Sequence, residues 1–151
     1  MPLHRIFHSP ETFSQADKDA LAQRITELYV KSGLPPFYVL VVFLPVEKTD
    51  FYVGGKQNNE NLVRIAVQHV ARQLPQHKQT VRFFERYEAA LAPFIKERGL
   101  EWEITVEECD MNLWRESGLV PPLPNSAAEK EWVRLNKAVP YDETDNETPR
   151  P

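Results

Sequence analysis

An α/β (α+β) domain, with duplicated β-α-β units forming one sheet backed by two helices, is what this sequence predicts. Three observations carry the prediction. Two stretches with helical spacing of apolar residues lie between strand-like runs. The order strand, helix, strand occurs twice, at similar length. A glycine-glycine turn, Gly54-Gly55, stands between the two halves.

Leu3 to His8 reads as the first strand, broken by Ser9 and Pro10. Ser14 is a good helix N-cap, with Asp17 three residues on in a box-like arrangement. The helix runs to Ser32 and places Leu21, Ile25, Leu28 and Tyr29 on one face. Gly33, Pro35 and Pro36 stop it. Phe37 to Val46 is the second strand, so continuously apolar that neither face is expected to be wet. Phe51 to Val53 and the glycines read as a hairpin, and 58–61 as a polar loop.

Leu62 to Val70 is the third long strand. Thr80 to Arg98 is expected to be the second helix, with Phe84, Tyr87, Leu91, Phe94 and Ile95 on one face and Pro93 as an internal bend. Leu100 to Glu107 alternates apolar and polar residues, as a strand with one dry face does. Asp110 to Ser117 is expected to form a short helix, and Pro121, Pro122 and Pro124 an extended path. Ser126 caps a last helix to about Ala138. Residues 1–138 therefore form the domain, and the acidic segment 139–151 is expected to be disordered.

The chain has 151 residues, enough for one domain with a real core, and a formal net charge of −4. Most of that charge sits after Val139, so the body is nearly neutral and shows no nucleic-acid footprint. The single cysteine, Cys109, has no partner for a disulfide, which fits a reducing, cytoplasmic setting. The start of the chain lacks a secretory apolar stretch, and the run Phe37 to Val46 is too short for a membrane span.

The candidate chemistry begins at Pro2. Removal of Met1, favoured by a small second residue, would expose a secondary amine on a rigid ring. An α-amino group titrates at about 7.7–8.0 in water, and an apolar pocket beside a cation lowers that value. The amine would be held by the strand that follows it, fit for general acid or base work. Metal and cofactor motifs fail on geometry. His4 and His8 share a strand face but lie roughly 13 Å apart. Cys109 has no second cysteine, and Gly54-Gly55-Lys56 lacks the remainder of a phosphate loop. No cofactor or metal is expected.

Pro2 ahead of a β-α-β-β-α-β chain resembles the tautomerase superfamily. The likeness is closest to the fused-subunit branch that includes cis-3-chloroacrylic acid dehalogenase. Ile25-Thr26-Glu27, the hairpin Phe51 to Gln57, and Glu116-Ser117-Gly118 before the proline-rich segment carry it, over roughly residues 2 to 135. The resemblance implies that Pro2 is the catalytic proline, that Glu116 assists or activates water, and that Arg72 binds a substrate carboxylate. Tyr29 falls where the family has a helix histidine, and His69 stands near Arg72; both become substrate-binding candidates. One arginine is present where the branch has two, and Ile104 stands near a family tyrosine. Taken by themselves, Arg72 and Glu116 equally fit solvated charges, and His69 and Tyr29 fit core positions.

The implied activity is proton transfer on a small 2-keto or enol carboxylate, a keto-enol tautomerase of the isomerase class. The alternatives are a hydratase, dehalogenase or decarboxylase using protonated Pro2 as acid, or a non-catalytic homologue. The resemblance further implies a homotrimer with sites near subunit boundaries; the near-neutral body and the short apolar run predict no nucleic-acid or membrane partner.

Overall fold

Register and pairing place the first strand at the centre of the molecule. The computed structural model describes residues 1–58 and 62–146. It contains β1 (Leu3–His8), α1 (Gln15–Val30), β2 (Leu40–Pro45), the hairpin β3 (Tyr52–Val53) and β4 (Lys56–Gln57), then β5 (Leu62–His69), α2 (His77–Leu91), β6 (Glu101–Glu108) and α3 (Ala127–Leu135). Four strands form one sheet in the order β2-β1-β5-β6. β1 runs parallel to β2 and antiparallel to β5, and β5 runs parallel to β6. The two β-α-β units therefore meet along an antiparallel seam. Residues 59–61 of the polar loop and 147–151 of the acidic tail lie outside the described residues.

Local chemistry sets the helices. The Ser14 hydroxyl accepts from the Asp17 amide at 3.1 Å, and the Asp17 carboxylate accepts from the Ser14 amide at 2.9 Å. The second helix differs from expectation at both ends. It starts at His77, where the Gln79 side chain accepts the Gln76 amide at 3.1 Å. It stops at Leu91 because Pro93 has no amide to continue the ladder. Lys96–Arg98 then form one 3-10 turn, closed by Gly99 at φ 72°. The helix expected over 110–117 shrinks to the 3-10 turn Met111–Leu113.

Both helices cover one face of the sheet. The His4 ring on β1 meets Tyr29 of α1 at 5.3 Å and Tyr87 of α2 at 5.4 Å between centroids. Beneath them Ile6, Ile25, Val63 and Ile65 are fully buried. Each such side chain contributes about 1.5–3 kcal/mol. Among the described residues no element covers the other face. Along β2 this face is apolar, and Leu40 and Val42 are 41% and 39% exposed, so the expectation of a strand dry on both faces does not hold for the single chain. From Arg5 of β1 across β5 and β6 it is polar: Arg5 donates to Gln68 at 3.0 Å and Arg64 to Thr105 at 2.9 Å.

Past the sheet, α3 packs Trp132 against Phe37 and Tyr38. The segment from Val139, read from composition as disordered, is placed against the body as far as Asn146. The Tyr141 hydroxyl donates to the Val120 carbonyl at 2.8 Å, and the Asn146 side chain accepts the Leu123 amide at 2.6 Å.

Candidate active site

One end of the sheet gathers the start of β1, the end of α1, the ends of β5 and β6, and the loop that follows β6. Leu3 pairs with Gln68, so the same register carried one residue further sets Pro2 opposite His69. His69 in turn pairs with Glu108. The Pro2 carbonyl accepts the Leu40 amide at 3.0 Å, and Pro2 is buried. The start of the chain is thus tied to both neighbouring strands.

Burial lowers the amine of Met1 to about 4, against upward pulls from Glu116 and Cys109. Those two carboxylate and thiol groups are therefore within electrostatic reach of the terminus. Glu116 is fixed by a two-residue turn. Its amide and carbonyl exchange hydrogen bonds of 2.9 Å with Leu119, while Ser117 and Gly118 take φ values of 50° and 82°. A non-glycine residue such as Ser117 accepts that left-handed geometry only at a cost, so the turn is held by its surroundings.

His69 is 4% exposed, and its Nε2 shares a 2.7 Å hydrogen bond with the Tyr29 hydroxyl. Burial lowers the His69 imidazole to about 4, Glu108 raises it, and the nearby terminal amine lowers it further. Its Nδ1 is buried without a partner among the described residues. A second pair lies behind: His4 Nδ1 and the Tyr87 hydroxyl are 2.7 Å apart. Burial first, and then His69, lower the His4 imidazole to about 3. Both histidines are neutral at physiological pH, and both tyrosine hydroxyls are pushed up by burial.

All five residues expected from the sequence come to this end of the sheet, Arg72 three residues past the end of β5. Arg72 has a different environment. Its guanidinium donates to both carboxylate oxygens of Glu129, at 2.9 and 3.0 Å, and to the Ala71 carbonyl at 2.9 Å. Glu129 is 3% exposed and also accepts the Asn125 amide at 2.6 Å. The planar fork that suits a substrate carboxylate already holds one from the chain itself.

Tyr38 is the residue the sequence reading missed. It is 1% exposed, and its hydroxyl has no partner among the described residues. Burial pushes that hydroxyl up, Glu129 and Glu116 add to the shift, and Arg72 opposes it. The hydroxyl is therefore a free donor in the field of the two carboxylates. Trp114, whose ring meets Tyr38 edge-on at 4.8 Å, also buries an indole N–H that has no partner among the described residues. A tyrosine after two prolines carries no distinguishing sequence signal, because its two carboxylate neighbours lie far along the chain.

The duplicated β-α-β sheet, with a proline at the head of its central strand, defines a class: the fused-subunit tautomerase fold. The chain belongs to the family described as putative oxalocrotonate tautomerase enzyme, whose model matches residues 1–137. It is similar to RhCC from Rhodococcus jostii RHA1, with 46% identity over 92% of this chain and 99% of that one and a TM-score of 0.88. It is also similar to a probable enzyme from the thermophilic fungus Aspergillus fumigatus, with 40% identity over 93% of this chain and 98% of that one and a TM-score of 0.88. N1, a member of the cis-3-chloroacrylic acid dehalogenase family, shares the fold at 19% identity and a TM-score of 0.70, over 85% of this chain and 88% of its own. No curated protein matches the chain. Among the described residues no helix is long and apolar enough to cross a membrane.

Proposed function

We propose that this chain, once Met1 is removed, is a cofactor-independent keto-enol tautomerase acting on a small 2-keto or enol carboxylate. The observation that supports it most is the setting of the terminus. The amine at the head of β1 is buried and lowered, and the same burial acting on a prolyl amine there favours its neutral form. Neutral Pro2 takes a proton from the enol hydroxyl or the α-carbon and returns it at carbon. Glu116, within reach of the terminus, orients the substrate or assists the transfer. His69 and Tyr29 fix the wall beside the amine. Arg72 remains the sequence-implied carboxylate anchor, reached by exchanging Glu129 for substrate. The unpartnered Tyr38 hydroxyl offers a neutral donor to a substrate oxygen.

The bare face of the sheet, apolar along β2, supports assembly of three copies around it. Sedimentation giving only monomer at micromolar concentration overturns that assembly.

Two observations favour other readings. The upward pull of Glu116 on the amine favours protonated Pro2 as an acid, in a hydratase, dehalogenase or decarboxylase. The occupied Arg72 fork favours a non-catalytic homologue. The test is ketonisation of phenylenolpyruvate by wild type and Pro2→Ala, each terminus confirmed by intact mass. The base reading expects turnover lost in the variant, and wild-type rate falling as pH drops through the amine pKa. An acid reading reverses the pH dependence. No turnover by processed wild type leaves the non-catalytic reading.

A further inference from the structure

A cleft of about 260 Å³ opens between the last turn of α1 and the first half of α2. Leu28, Tyr29, Leu74 and Phe83 supply its apolar walls, and Arg82 and Arg86 its rim. The two arginines are four apart on α2 and so share one face. Among the described residues neither has an ion-pair or hydrogen-bond partner. The acidic residues of the same helix are sorted away: Glu85 and Glu88 line a separate cleft on the other flank, beside Trp102. Glu108, the carboxylate beyond Leu74, is engaged by the Leu74 amide. Two unpaired guanidinium groups over an apolar floor, with no carboxylate in the cleft, make a binding site of definite chemistry.

We infer that this cleft binds a small carboxylate with an apolar, one-ring body. The ring lies against Phe83, Leu28 and Tyr29, and the carboxylate meets Arg82 and Arg86 at the rim. The cleft shares Tyr29 with the Pro2 end, but Pro2, His69 and Glu116 are not among its lining residues. The inference is independent of the Pro2 chemistry, and either can fail alone.

The test is calorimetric titration of the full chain with phenylacetate, and with benzyl alcohol as its neutral counterpart. The expected result is saturable phenylacetate binding that weakens as salt rises. Arg82→Glu and Arg86→Glu are each expected to weaken it by about ten-fold or more, the loss of a charge-assisted contact. Both positions are exposed, and circular dichroism checks that the variants stay folded. Amide NMR shifts should be largest over residues 28–32 and 79–86, and binding should persist in Pro2→Ala. Equal binding by folded arginine variants, equally tight binding of benzyl alcohol, or shifts confined to 108–119 each overturn the inference. Absence of turnover on phenylenolpyruvate leaves these expectations unchanged.

Discussion

At the Pro2 end of the sheet, the start of β1 meets the end of α1 and the end of β5. At the opposite end the duplication repeats the arrangement: the start of β5 meets the end of α2 and the end of β1. His69 closes β5 and His8 closes β1, and each is buried. Their partners differ. His69 shares its hydrogen bond with the Tyr29 hydroxyl, whereas His8 Nδ1 donates to the Ser9 carbonyl beside it, at 2.7 Å. The first strand of one unit begins beside a chain terminus. The first strand of the other begins at Leu62, whose N–H is an ordinary amide turned to the Asn58 side chain at 3.4 Å. One architecture thus places a buried histidine at the end of each of two strands, and the chain terminus, a tyrosine partner and Glu116 gather at only one of them.

The largest expected effect sharpens that contrast. Pro2→Ala is expected to lower ketonisation by about 10²–10⁴-fold, the range for a lost acid–base group, with thermal stability little changed. Equal rates in wild type and a processed variant would erase the distinction between the two ends. Next is the latch beside the Pro2 end. Glu129→Ala leaves Arg72 without its carboxylate in a largely buried setting and is expected to cost about 3–5 kcal/mol in denaturant unfolding. Tyr87→Phe leaves His4 Nδ1 without its partner and is expected to cost about 1–3 kcal/mol by the same measurement.

The acid response follows from the same histidines. His4 is lowered to about 3 and His69 to about 4, from an ordinary 6.5. The unfolded chain therefore takes up protons first. Their contribution to stability is full above pH 6.5 and is lost as pH falls from there toward those lowered values. Urea unfolding at a series of pH values should show this decline, with a shallower slope in His4→Gln. The smallest effect belongs to the opposite end. Arg98 donates to the Thr12 carbonyl at 2.7 Å and pairs with Asp17 at 3.5 Å on the surface, so Arg98→Ala should cost about 1 kcal/mol or less.

Much of this molecule is written locally. The alternation of Trp102, Ile104 and Val106 with glutamates fixes the face of β6, and Ser14 with Asp17 fixes the start of α1. The residues that the resemblance singled out, Pro2, His69, Tyr29 and Glu116, lie at one end of the sheet. What escaped reading is non-local. The second helix starts and stops where Gln79 and Pro93 decide, not where the apolar face runs out. The partner of Arg72 lies on α3, and that of His4 on α2; no spacing rule joins them. Tyr38 gains its interest only from the carboxylates folded around it.

The seat of Pro2 also sets an order of events. Its carbonyl is bonded to β2, its ring is buried, and Met1 packs partly into the core. An aminopeptidase needs the first peptide bond extended and open, and the closed sheet offers neither. If the terminus is to become an amine on proline, the cut belongs to the nascent chain, before β2 and β5 close on β1. On the reading proposed above, any segment left ahead of Pro2, Met1 included, should withhold the ketonisation activity.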